Sequence, residues 1–160
     1  QAQTQAHIDR VRQILGKFSD ELIARGKVHD DSKLVSPEAE GFAKHTANLR
    51  GLTYGSVEYE AELAAMKPFL DHHYENNSHH PEFFENGISG MNLFDLVEML
   101  ADHLAACERH EDGCPYKSLD HNSKRFVYGP QLTSIFKNTL DSLARKDGAI
   151  FNSCVPPSTL

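Results

Sequence analysis

The chain has 160 residues and a formal charge of −7, with 16 Lys and Arg against 23 Asp and Glu, and 39% of its residues are hydrophobic. This balance is typical of one globular domain, and it disfavours a protein that binds nucleic-acid polymers, whose interface is usually basic. Because no apolar run approaches the ~18–20 residues of a membrane span, we expect no membrane-spanning segment. The three cysteines form no C-x-x-C pair, which favours a reducing compartment and a cytoplasmic location.

Hydrophobic residues recur at helical spacing along most of the chain, which predicts an all-α, single-domain bundle of five to seven helices. The clearest helices are predicted, in chain order, over residues 3–25, 36–50, 56–75, 92–110 and 130–147. Ser36-Pro37 and Ser56 are predicted helix starts, Pro68 a kink or restart, and Asn92 with Asp95 a capping box. The predicted domain covers 1–150, and 151–160 is predicted to be a flexible tail.

Histidine is unusually frequent, with 10 in 160 residues, and most candidate metal ligands lie in three segments. These segments are His29–Lys33, His72–Glu82 and Glu98–Asp102. Imidazole and carboxylate together suit divalent ions such as Mn, Fe, Co, Ni or Zn, with Mg as a further candidate. Because His and Asp sets commonly leave a position for water, a catalytic metal is expected.

Helical periodicity places some of these residues on shared faces. Glu98 and Asp102 are four residues apart, so they share one face of the helix that begins at Asn92. His7 shares its phase with the apolar residues Val11 and Leu15, which predicts that His7 faces inward and reaches a site inside the bundle.

The order of these histidines and aspartates along the chain resembles that of the HD-domain superfamily of metal-dependent phosphohydrolases. His7, His29, Asp30 and Asp102 fit its H…HD…D order. More closely, the chain is similar to a phage and bacterial HD-like family of unassigned function, marked by HD-x-SK, H-x-x-x-N-x-H-H and E-M-x-x-D. These motifs stand at residues 29–33, 73–80 and 98–102, and the resemblance covers about residues 4–110.

The resemblance implies an all-helical fold, one or two divalent ions, and hydrolysis of a phosphate ester or anhydride, often in a nucleotide. If the protein is phage-encoded, we expect it in the cytoplasm of the host cell. The implied metal ligands are His7, His29, Asp30, His73, His79 and Asp102. Lys33 is expected to contact phosphate. His79 or His80 is expected to bind a second metal, to hold phosphate or to protonate the leaving oxygen, with His80 the favoured catalytic residue. Glu98 is expected to orient the water or to hydrogen-bond a ligand His.

Two alternatives stay open. The same ligand set suits an HD-fold di-iron oxygenase, and it also suits a non-catalytic helical interaction protein that binds metal. The expected partner is a small phosphate compound, with a nucleotide favoured, and the sequence leaves the metal, the metal count and a homo-oligomer undecided. The metal count is open because His73, His79 and His80 lie within eight residues, whereas two-metal HD proteins usually separate these ligands.

Overall fold

The computed structural model describes residues 1–53, 56–109, 113–146 and 154, and over these ranges the chain is all-α, as predicted. Short 3₁₀ turns stand at Asp31–Leu34, Pro81–Phe83 and Gly87–Gly90. The α-helices are α1 (Ala2–Val28), α2 (Glu38–Leu49), α3 (Val57–Asn76), α4 (Leu93–Cys107), α5 (Pro115–Arg125) and α6 (Pro130–Lys146). Among the described helices, none combines the length and the apolar character that crossing a bilayer requires.

The chain divides into two compact units, Gln1–Phe83 and Phe84–Leu160. The first holds α1 to α3, and the second holds α4 to α6. The predicted division into a domain over 1–150 and a tail over 151–160 stays a prediction, since residues 147–160, apart from Cys154, lie outside the described part of the chain.

Side-chain caps fix two of the helix starts where the sequence predicts them. The hydroxyl of Ser56 accepts a hydrogen bond from the backbone N–H of Tyr59 at 3.1 Å. At α4 the backbone N–H of Asp95 donates to Asn92 Oδ1 at 3.1 Å, and the N–H of Asn92 donates to Asp95 Oδ2 at 2.9 Å. This capping box gives the buried Asp95 carboxylate a structural role at the helix start.

Three local features differ from the sequence prediction. Pro37 rather than Ser36 is the N-cap of α2, and α3 continues through Pro68, so the helix does not restart there. Helix α5 was not predicted, because its sequence is largely polar and presents only a few apolar residues to the core. Tyr116 and Leu119 are among those it buries.

The core of the second unit joins α4, α5 and α6. Its buried side chains are Met99, Leu100, Tyr116, Leu119, Tyr128, Phe136 and Leu140. The hydroxyl of Tyr116 donates to Asp141 Oδ1 at 2.7 Å, so its buried polar atom is satisfied. Cys114 and Cys154 form a disulfide across 40 residues of sequence, contrary to the expectation of reduced thiols, and Cys107 is free.

Helix α1 contradicts the prediction of an inward-facing stripe. None of its residues is buried, and Ile8, Val11 and Phe18 are exposed. His7 is exposed as well. Periodicity correctly predicted a helix here, but an amphipathic pattern specifies only which face is apolar, and not what covers it.

Within the first unit, α2 packs along α3, and the turns at Asp31–Leu34 and Pro81–Phe83 both contact α3. The face of α2 that is buried consists of Glu38, Gly41 and His45, spaced three and four residues apart. Gly41 lies against the Phe69 ring, where a Cβ atom would overlap the ring carbons. These packing contacts bring the His29–Lys33 segment next to the carboxyl end of α3.

Candidate metal centre

Four side chains of the first unit converge on one point. Asp30 precedes the Asp31–Leu34 turn, His73 lies in the last turn of α3, and His79 and His80 follow in the short connection to Pro81. One ligand atom from each of the four lies within 4.8 Å of every other. The convergence arises because α3 ends at Asn76 and the chain turns back on its last turn.

The distances between these atoms match those between ligands of a single ion. His73 Nε2 is 2.9 Å from His80 Nε2, and Asp30 Oδ1 is 3.4 Å from the Nε2 atoms of both His73 and His79. Two ligands bound at about 2.1 Å lie about 3.0 Å apart at an octahedral right angle and about 3.4 Å apart at the tetrahedral angle. These three distances are therefore those that one transition-metal ion sets between neighbouring ligands.

The two oxygens of Asp30 have different environments. Oδ2 accepts from Lys33 Nζ at 2.7 Å, whereas Oδ1 is buried and accepts no hydrogen bond from the described residues. A buried carboxylate oxygen without a donor is costly unless a cation lies against it. Asp30 also adopts a left-handed backbone conformation, with φ 59°, which Asp tolerates better than most residues and which often marks functional positions.

The surroundings of the cluster favour neutral rings at His73 and His80 and an ionised carboxylate at Asp30. Burial, together with the neighbouring His79 and His73, lowers the pKa of His80 to about 3. Burial and the positive charge of Lys33 also lower the pKa of His73. Burial by itself raises the pKa of Asp30, but its contacts with His79 and Lys33 outweigh this and hold the pKa well below its usual range. His73, His80 and Asp30 are therefore in the charge state that metal binding requires.

Other predicted residues border the cluster. The rings of His29 and His79 lie 4.4 Å apart, and His29 Nε2 is 3.6 Å from Asp30 Oδ2. The Lys33 amine, paired with Asp30, is partly exposed and lies 5.8 Å from the centre of the Phe42 ring. Lys33 is therefore at the solvent side of the site, where the sequence analysis expects a phosphate contact.

Sequence reasoning placed three further residues at the site. The exposure of His7 contradicts its predicted inward position, and the ligand groups found among the described residues do not include it. Glu98 and Asp102 lie one turn apart on α4, as predicted, but α4 belongs to the second unit. Their roles, and that of His29 as a ligand, stay predictions, whereas His80 joins the donor set rather than standing beside it.

The sequence analysis missed Glu38, which lies fully buried behind the cluster. Its carboxylate accepts from His72 Nδ1 at 2.7 Å, from His73 Nδ1 at 2.9 Å and from Ser32 Oγ at 2.9 Å. Acidic residues are common in the first turn of a helix, so nothing in the sequence distinguished Glu38 from an ordinary helix-start residue.

Residues 1–145 match a family described as a family of unknown function, DUF5662. The chain belongs to this family. The four donor residues, together with Glu38 and Lys33, all lie within the part of the chain that matches DUF5662. No curated protein and no solved structure matches the chain.

Proposed function

We propose that the protein is a metal-dependent phosphohydrolase that acts on a nucleotide or a related small phosphate ester. One divalent ion is bound by Asp30, His73, His79 and His80. The observation that carries the proposal is the convergence of these four donors within 4.8 Å of one another. The order of the motifs, which resembles HD-type phosphohydrolases, adds the reaction class.

The buried oxygen of Asp30 supports a bound metal. Asp30 Oδ1 accepts no hydrogen bond from the described residues, and ligand atoms of three imidazole rings lie within 4.8 Å of the carboxylate. A cation at this point would compensate the buried negative charge of the carboxylate. Because three of the four ligand atoms are imidazole nitrogens, the set favours Mn, Fe, Co, Ni or Zn over Mg, which prefers oxygen ligands.

A bound divalent ion supplies Lewis acidity at a phosphoryl oxygen and an activated water at neutral pH. The chain itself must attract an anionic substrate despite its net charge of −7. Lys33 lies beside Asp30 with its amine partly exposed, so it is placed to bind a phosphate oxygen as a point charge. We assign Lys33 to substrate binding and the four donors to the ion.

The experiment is metal analysis of the purified protein, followed by phosphate release from a panel of nucleotides and p-nitrophenyl phosphate with the metal that is found. Lys33→Met should keep the metal and raise KM by about 10-fold or more, since it removes a charged contact worth roughly 1.5–3 kcal/mol. Lys17→Met, an exposed substitution on α1 with the same loss of charge, is the control. A metal-loaded protein that releases no phosphate would refute the hydrolase proposal, and oxygen consumption by the iron-loaded form would favour the oxygenase alternative.

A further inference from the structure

The buried carboxylate of Glu38 connects two histidines behind the donor cluster. Its side chain is 0% exposed, and each oxygen accepts from one imidazole, Oε1 from His72 and Oε2 from His73. Only His73 also contributes to the donor set, through the opposite ring nitrogen. Glu38 therefore contacts the back of a ring whose front faces the proposed ion.

This contact determines which nitrogen of His73 carries the proton. An ionised carboxylate only accepts hydrogen bonds, so the Nδ1 atom that lies 2.9 Å from Glu38 Oε2 must be the protonated one. In the neutral ring, Nε2 then keeps its lone pair. That nitrogen lies 2.9 Å from His80 Nε2 and 3.4 Å from Asp30 Oδ1, at the centre of the cluster.

The neighbouring polar groups reinforce this assignment. The amide of Asn77 donates to Ser32 Oγ and to the backbone oxygen of His73, both at 2.8 Å. The hydroxyl of Ser32 in turn donates to Glu38 Oε2. Asn77 Nδ2 and Ser32 Oγ also lie 3.0 and 3.2 Å from His73 Nδ1, but their protons already have these shorter contacts with other acceptors. Glu38 thus faces three donors, from His72, His73 and Ser32, which is the arrangement that an acceptor-only carboxylate requires.

We infer that Glu38 is a positioning residue for the metal site, holding His73 in the Nδ1–H tautomer with Nε2 aimed at the ion. The inference rests on the metal centre of the proposed function and deepens it. Carboxylate groups behind metal-bound histidines typically change metal affinity by 10- to 100-fold. Glu38 touches neither the proposed substrate nor the ion, so its effect passes through His73.

Glu38→Gln is the substitution that tests the inference. A glutamine offers one acceptor and one donor group where the carboxylate offers two acceptors, so it cannot serve His72 and His73 alike. Where its amide donates to His73 Nδ1, the ring proton moves to Nε2, which then cannot bind metal. We expect the Kd for Zn²⁺ to rise by about 10- to 100-fold.

The chain offers a matched control in the same pair of helices. Glu62 on α3 accepts from the buried His45 on α2, with Oε1 at 2.6 Å from Nδ1, and from Asn48 at 2.7 Å. Glu62→Gln thus disturbs a second carboxylate–imidazole contact between α2 and α3, away from the donor cluster. If Glu38 acted only by holding the helices together, both variants would change Zn²⁺ affinity alike.

Two measurements decide the matter. Zn²⁺ titration of the wild type and both variants should show weaker binding in Glu38→Gln alone, and equal Kd values would overturn the inference. ¹⁵N NMR of the metal-free wild type should show His73 protonated at Nδ1, and an Nε2–H ring would overturn it even if Glu38→Gln fails to fold. If the wild type binds no metal, the proposed function fails and the role of Glu38 in metal binding fails with it. If the wild type binds Zn²⁺ and Glu38→Gln binds it equally, only the Glu38 inference fails.

Discussion

Asp30 supplies the carboxylate of the four donors, so Asp30→Asn is the most direct perturbation of the proposed centre. Asparagine has nearly the same shape and also tolerates the left-handed backbone that Asp30 adopts, with φ 59°. The substitution therefore removes the negative charge that faces the ion and leaves the local backbone intact. It also weakens the pair with Lys33, so the variant must be compared with and without metal rather than by its absolute Tm.

The expected effect follows from mass action. An ion present at 100 times its Kd stabilises the native state by about 2.7 kcal/mol, and a site that binds 100-fold more weakly gains only about 0.4 kcal/mol. For a chain of 160 residues, 1 kcal/mol corresponds to roughly 3 °C in Tm. The metal-induced shift should therefore fall from about 8 °C in the wild type to about 1 °C in Asp30→Asn.

Thermal unfolding followed by circular dichroism, with chelator or with the native metal, measures both shifts. Asp31→Asn is the control, because Asp31 is the adjacent residue, is exposed and loses the same charge. Its metal-induced shift should equal that of the wild type. A full shift in Asp30→Asn, or an equal loss in both variants, would show that the Asp30 carboxylate does not bind the ion.

Three further predictions concern the fold. Gly41→Ala should lower the free energy of unfolding by about 1–3 kcal/mol, because the new Cβ overlaps the Phe69 ring. Gly16 on α1 has open space around it, so Gly16→Ala should raise the free energy of unfolding by about 0.5–1 kcal/mol. Urea unfolding measures both changes. Val127 is 83% exposed at φ 54°, so Val127→Gly should stabilise the protein by up to about 1 kcal/mol. Val57 in α3 is equally exposed but helical, so Val57→Gly should destabilise the protein. Destabilisation by both substitutions would contradict the backbone argument. Burial and the bond to Asp141 raise the pKa of Tyr116 to about 12, so the stabilisation it provides is complete below about pH 10 and is lost as pH rises through 12; a tyrosinate absorbance titration of Tyr116→Phe should lack this latest component.

The sequence predicted the fold class and most helices because two kinds of signal agreed. Apolar residues recurred at helical spacing, and cap residues such as Ser56 and Asn92 marked where helices start. The prediction missed α5, because its largely polar sequence has too few apolar residues to show a helical period. It also failed at α1, since the stripe that includes Val11 predicts a helix but no neighbour to bury it.

The packing of α2 on α3 shows why Glu38 escaped prediction. The buried face of α2 consists of Glu38, Gly41 and His45, and none of these side chains is hydrophobic. A search for apolar periodicity therefore does not find this interface. Its contacts include hydrogen bonds between Glu38 and His73 and between His45 and Glu62, and these depend on which helices meet.

The sequence singled out all four donor residues through the motifs at 29–33 and 73–80, but their arrangement around one point required the fold. In sequence, the crowding of His73, His79 and His80 left the number of metal ions open. In the structure, α3 ends at Asn76 and the chain turns back at once, so the two later histidines face the last turn of the helix. Crowding along the chain thus becomes convergence in space, and Asp30 completes it from a backbone conformation that few other residues adopt readily. In the proposed centre one ion binds to all four side chains, so the loss of Asp30 alone should remove most of the metal-induced stability.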